Sequence, residues 1–266
     1  MAAKMHRLHI PGVGEAVVNI PGGVPYEVDT ALQFPLGSYM RMGNKGFVYA
    51  KAGGTLVPKM GAKNSLAQKV GQVAVAATAL IKATTITLTI ATGTEITLDE
   101  LVGGEIVVFV DGVAATNSFT RGITGNNAIA TGVGGTLTLT LDSPIPVEVT
   151  TDGKAECIAS PYSAVTQSSD ANLAVVGMPL LPATVGQFLW LQVEGLYWAA
   201  PQSLVGVGGN TGIVFRHDGS LEPIINTAGV LSVPDGYSTT QHAGVVVSEA
   251  SGGTQGAPFI LLQIAH

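Results

Sequence analysis

Residues 136–151 read TLTLTLDSPIPVEVTT. Thr136, Thr138 and Thr140 alternate with Leu137, Leu139 and Leu141. Successive side chains of a strand point to opposite faces, so this spelling places leucine on one face and threonine on the other. Asp142-Ser143-Pro144 interrupts the run, and neither Pro144 nor Pro146 can donate to a ladder. Val147, Val149, Thr150 and Thr151 resume an extended, β-branched pattern. The stretch predicts two strands of a β-sandwich or barrel meeting at a proline-bearing corner, with nothing in it suited to catalysis.

The same grammar extends outward. Pieces 36–42, 45–51 and 55–58 are separated by Gly43-Asn44 and Gly53-Gly54, which supply the backbone freedom of tight hairpin turns. Tyr39, Phe47 and Tyr49 are the aromatic partners expected on that sheet. Residues 84–90 alternate threonine with Ile86, Leu88 and Ile90. EIVVFV at 105–110 is a nearly continuous apolar run, the mark of a strand buried on both faces, and it ends at Asp111-Gly112. Segment 64–82 is mixed. Its alanines favour a helix, while Gly71 and the alternation of Val73 and Val75 favour a strand. The expectation is a helical turn over 64–70, then extended chain.

Residues 122–135 read as a Gly/Asn loop. Strands are expected at 173–177 and 187–194, with Gly195 turning the chain into 196–200. Further strands are expected near 213–217, 221–225, 243–248 and 258–264, the last docking back on the core. The fold class is therefore all-β, a β-sandwich or barrel-like body with an extended N-terminal arm and little helix. Residues 1–33, dense in proline and glycine, form the arm; 34–205 the main β domain; 206–266 a C-terminal β section that packs on or completes it.

Composition bounds the function. Only 11% of the 266 residues are charged, against roughly 25% in ordinary soluble domains, and 46% are hydrophobic. Twelve Lys and Arg with eighteen Asp and Glu leave a net charge of −6, which argues against nucleic acid as a partner. So sparse a charged surface points to a chain covered by other protein. Cys157 is alone, which excludes an internal disulfide and a cysteine-based zinc site. The N-terminal MAAKMHRLHIPGVGE carries no apolar secretory core. Residues 171–193 are uncharged, but Pro179, Pro182, Gly177 and Gly186 interrupt them, so they read as two buried strands and a link rather than a membrane span.

No set of residues converges on chemistry. GVGGNTG at 206–212 lacks the Lys-Ser/Thr of a phosphate loop and precedes a strand, so no helix N-terminus faces a phosphate. His6 and His9 have ligand spacing but no cysteine or carboxylate partners nearby. His217-Asp218 is explained by a turn at Gly219. Asp99, Glu100 and Glu105 read as acidic turn residues. Cys157 reads as a buried structural thiol. With no acid, base and nucleophile brought together, the expectation is no enzyme, no metal and no cofactor.

FPLGSYMRMGNKGFVYAKAGGTLVPK at 34–59 has an L-G hairpin followed by Y-x-x-A-G-x-x-L. GGTLTLTLDSPIPVEVTT at 134–151, SPY at 160–162 and VVGMPLLPATVGQFLWLQVEG at 175–195 follow in order. These segments, spanning roughly 34–200, resemble head-associated structural proteins of tailed bacteriophages, of the capsid decoration or cement kind. The resemblance implies a virion protein on the outer surface of the head, made in the host cytoplasm, that bridges major capsid subunits and takes no part in catalysis. A homo-oligomer, taken as a trimer, is expected beside the major capsid protein, with neither nucleic acid nor membrane as partner. Val17, Val18 and Ile20 in the arm, and the aromatic patch Phe188, Trp190, Tyr197 and Trp198, are the candidate interface residues. A tail, fibre or baseplate component is the alternative; a host-side binding module and a virion glycosidase follow at a distance.

Overall fold

The computed structural model describes residues 4–10, 14–20, 24–64, 68–110, 117–168, 173–199, 205, 211–224, 238–248 and 259–264. Among them the chain is strand and turn, and the one helical piece is a 3-10 turn at Val24–Tyr26. The all-β class with little helix is what the alternating patterns predicted. The chain divides into two units: Met1–Ser65 with Pro161–His266, and Leu66–Ser160 inserted between them.

The first unit opens with Lys4–Ile10 (β1), Gly14–Ile20 (β2), Val28–Asp29 (β3), Tyr39–Met42 (β4), Lys45–Lys51 (β5) and Ala62–Lys63 (β6). The second holds Gln68–Ala74 (β7), Thr85–Ile90 (β8), Glu105–Phe109 (β9), Ser118–Asn126 (β10), Gly135–Leu141 (β11) and Lys154–Ile158 (β12). The first resumes with Val175–Pro179 (β13), Phe188–Trp198 (β14), Gly212–Arg216 (β15), Leu221–Pro223 (β16), Ser238–Ser248 (β17) and Phe259–Gln263 (β18).

In the first unit the sheet order is β16-β15-β17-β18-β14-β5-β4-β1-β2, with β3 and β13 also on β14 and β6 on β13. The boundaries between the units fall at 65/66 and 160/161 rather than at the expected 33/34 and 205/206. The C-terminal strands share a sheet with β4 and β5 because β14 pairs with β5 on one side and β18 on the other. The N-terminal segment is extended, as expected of an arm, but it is folded into a hairpin. β1 pairs with β2 along seven residues and with β4 at Leu8↔Met40 and His9↔Tyr39. Gly43-Asn44 makes the turn between β4 and β5 that the sequence indicated. Gly43 has φ +63, the positive value a two-residue hairpin needs at that position.

The second unit is a six-stranded antiparallel sheet, order β7-β12-β9-β10-β11-β8. Its two ends meet. Val75, just past β7, bridges Leu88 of β8, and the Ala76 N–H donates to the Thr87 carbonyl at 2.8 Å. The sheet thus curls until its edges touch, which leaves little open edge. The TLTLTL stretch is the wall. β11 and β8 register Leu137 on Leu88 and Leu139 on Ile86, while Thr136, Thr138 and Thr140 meet Thr89, Thr87 and Thr85. The leucine and isoleucine row is buried inside with Ile106, Val108, Ala155 and Cys157; the threonine row faces out.

Five expectations within the units are corrected. Residues 147–151 are no second strand. The chain past Pro144 runs as a strap along 79–83, held by Lys82 N–H to Ile145 O, Ile145 N–H to Ala83 O and the Ala79↔Val149 bridge, because the prolines remove the donors a ladder would need. β9 is fully buried at Ile106 and Val108 only, as a barrel wall of one interior face requires. No helical turn is seen among the described residues of 64–70; β7 begins at Gln68, and 65–67 lie outside them. The expected loop 122–135 begins as strand, since β10 runs to Asn126. The Asp111-Gly112 turn lies outside the described residues.

Gly195 is also not a turn. β14 passes straight through it for eleven residues, with φ +96 at Gly195 and a register irregularity between Gln192 and Glu194 on β5. It is a bulge site: a Cβ there would run into the Asn44 carbonyl and Lys45 of the neighbouring hairpin turn. The run 171–193 does contain two strands, β13 and β14, paired at Met178↔Gln192 and Pro179↔Leu191. No helix among the described residues is long and apolar enough to cross a membrane.

Candidate interaction surface

The aromatic residues expected to form one patch are split by strand alternation. Trp190 is 1% exposed and sits with Met40, Phe47 and Tyr49 in a cluster of its own. Phe34 meets Tyr49 edge-on at 5.3 Å, Tyr49 lies 5.0 Å from Trp190, and Phe188 stacks on Tyr49 at 6.1 Å. These contacts are interior packing, since edge-to-face and offset pairs hold a core as well as an interface. The Tyr49 hydroxyl donates to Asp29 Oδ2 at 2.6 Å, and burial followed by that bond pushes its pKa well above the ordinary range. Phe188 is half-buried, with Lys51 Nζ 5.8 Å from its ring centre.

Tyr197 is likewise interior. Its hydroxyl donates to the Pro179 carbonyl at 2.9 Å and accepts from the Lys59 N–H at 3.0 Å. Burial pushes its pKa up to about 12 against the lowering effect of the Lys59 N–H. Trp190 and Tyr197 are therefore corrected from interface to core. Val17, Val18 and Ile20 lie on β2, opposite Arg7, His6 and Lys4 of β1; their side chains lie outside the described ones.

Trp198 alone of the aromatic candidates is exposed, at 38%, because it follows Tyr197 directly and must face the other way. Register brings new neighbours to it. Trp198 lies opposite Phe259 and Leu196 opposite Leu261 across β14 and β18. Leu196, Trp198 and the 52% exposed Phe259 thus share one outer face, and Val247, in the β17 bulge beside Phe259, is exposed too. Lys59 Nζ stands 4.2 Å from the Trp198 ring centre, a cation–π contact that leaves the ring edge open. The signal for this face was present in the period of two: Leu196 with Trp198, and Phe259 with Leu261. Pairing across strands distant in sequence was not.

The second unit shows another apolar spot. On the strap, Lys82 N–H bonds Ile145 O and Ala79 meets Val149, which sets Ile81 against Val147 beside Leu80. All three side chains are exposed. They stand at the barrel end remote from Gln68 and Ile158, where the chain enters and leaves.

The titratable groups considered from the sequence are held in local structure. Asp218 caps its own turn, accepting from the Ser220 N–H at 2.9 Å and its hydroxyl at 2.6 Å, with Gly219 at φ +84. Burial opposes ionisation there, but the two Ser220 bonds, then Arg216 and His217, hold the carboxyl below the usual range. Glu100 closes a turn on Thr97, whose N–H and hydroxyl donate at 2.8 and 3.2 Å, and pairs with Lys69 at 2.6 Å. His9 is exposed on β1. Burial, then Glu156, pushes the Cys157 thiol up to about 12, so it stays protonated. Among the described residues no three His, Cys, Asp or Glu stand close enough to hold a metal. Residues 206–210 of the glycine-rich loop lie outside the described ones.

The chain matches no known family model, no curated protein and no solved structure.

Proposed function

We propose that the chain is a non-enzymatic capsid decoration protein. It binds the outer surface of a phage head and stabilises the lattice of major capsid protein as a homo-oligomer. The observation that carries this reading is the surface. A chain with 11% charged residues exposes Leu196, Trp198 and Phe259 together on one sheet face, with Val247 exposed beside Phe259, and Leu80, Ile81 and Val147 together on the inserted barrel. Apolar clusters of this kind belong to faces that another protein covers. The resemblance of 34–200 to cement proteins supplies the partner. Repeated weak contacts suit it, since a lattice engages many copies at once.

The test is co-sedimentation of the purified protein with undecorated, expanded capsid shells. Saturable binding at a fixed ratio to the capsid protein supports the reading, and Trp198→Ala with Phe259→Ala should lower that binding while leaving the far-ultraviolet dichroism unchanged. Absence from shells, with the protein recovered in tail fractions of disrupted particles, overturns it in favour of a tail, fibre or baseplate role.

A further inference from the structure

Among the described residues, the two ends of the large sheet are guarded differently. At one end β16 is three residues long and closes on Pro223, which has no N–H to offer. At the other, β2 is seven residues long, GEAVVNI, with no lysine and no proline. Its register on β1 runs unbroken from Lys4↔Ile20 to Ile10↔Gly14, so no bulge twists it away. Open edges are normally kept short, charged, bulged or proline-bearing, because an unguarded strand templates the addition of another. β2 carries one such guard, Glu15.

We propose that β2 is a self-association edge, pairing antiparallel with β2 of a second copy to make one sheet continuous across two chains. The placement of Glu15 selects the arrangement. Antiparallel pairing centred on Val17 sets Glu15 opposite the partner's Asn19 and Ala16 opposite the partner's Val18, so no like charges face each other. Parallel in-register pairing, or an antiparallel register centred on Glu15, would oppose Glu15 to Glu15, which is unfavourable. The chosen register is isologous: the same seven residues serve both copies, and the two-fold closes the assembly at two along this edge. Strand addition gives main-chain hydrogen bonds for affinity and alternate residues for register, which suits a segment of mostly small and β-branched side chains.

This inference sharpens the homo-oligomer part of the proposed function but needs no shell, so its failure and the failure of shell binding are separate results. The full-length protein is weighed in solution by sedimentation equilibrium over a concentration series. Wild type is expected at twice the chain mass. The variant Ala16→Lys/Val18→Lys opposes lysine to lysine twice and should weaken association by about tenfold or more. The variant Ala16→Glu/Val18→Glu should behave alike, and an equal mixture of the two should regain the two-chain mass. That recovery also shows that each variant is folded. Val17→Cys should form an intermolecular disulfide in high yield and Glu15→Cys should not; Cys157 is buried and does not compete. A one-chain wild type, a lysine variant of unchanged mass, or equal crosslinking at 15 and 17 overturns the proposal.

Discussion

Gly195 shows how one residue can be misread by type and still be indispensable. It holds φ +96 in the middle of an eleven-residue strand, and the Asn44 carbonyl occupies the space a Cβ would take. Gly195→Ala should cost about 2–3 kcal/mol, combining a strained left-handed backbone with a forced retreat of the β4–β5 turn. Gly43→Ala strains a turn with open space around it and should cost less; the difference in denaturation midpoint checks this. Cys157 is legible at the same scale, since a lone cysteine in a strand pattern reads as interior. With its thiol pushed up to about 12, it should resist a disulfide-exchange reagent at pH 8 in the native protein and react at once in denaturant. Rapid native labelling would refute that. Glu100 carries part of the pH dependence. Burial opposes its charge, but the Lys69 bond, then Thr97, lower its pKa below the ordinary 4.5. A lowered folded pKa means that the stabilisation is present above that ordinary value and fades as pH falls through the folded one. Glu100→Gln should therefore destabilise by about 0.5–1 kcal/mol at pH 7, and its thermal midpoint should converge on that of wild type as pH falls through that lowered pKa.

At the scale of the element, the period of two decides what was readable. β11 was legible to the residue: its leucines are buried and its threonines are not. Leu139→Ala should cost about 3 kcal/mol through lost burial and a cavity between Ile86 and the barrel interior. Thr140→Ala, on the exposed row one residue away, should stay within about 0.5 kcal/mol. Equal losses in urea titrations would mean that the wall is not one-sided. The strap beyond Pro144 was misread because β-branched residues describe extended chain whether or not it is laddered, and only the partner decides. The same limit split the aromatic patch. Periodicity indicated that Tyr197 and Trp198 face apart, but which of them the sheet buries depends on β18, sixty residues downstream. The exposed face around Trp198 was legible in its two halves, Leu196 with Trp198 and Phe259 with Leu261, and not in their meeting.

On the whole-molecule scale, the feature hidden from the sequence is that one unit interrupts the other. A polar stretch, PYSAVTQSSD, follows the boundary at 160 but resembles any link between strands, no comparable stretch marks 65, and the C-terminal strands join a sheet begun more than a hundred residues earlier. The inserted unit has what independent folding requires. Among the described residues its interior cluster, nineteen buried side chains from Val70 to Cys157, is drawn from within Leu66–Ser160. Its end strands meet at Val75 and Leu88, so excision exposes no long new edge. Its two chain ends are neighbours, because Gln68 is registered on Ile158 across β7 and β12. Cα atoms so paired lie about 5 Å apart. Two consequences follow. Residues 66–160 expressed alone should give a β dichroism spectrum and a single cooperative unfolding transition. The parent chain with that segment replaced by a few glycine and serine residues should retain the twelve-stranded sheet, since so short a linker spans the gap. Shell binding by the parent lacking the insertion then separates the two apolar surfaces: retention assigns docking to the face of Trp198 and Phe259, and loss assigns it to Leu80, Ile81 and Val147 on the barrel. An excised segment that stays unfolded would show instead that the barrel borrows its stability from the chain around it.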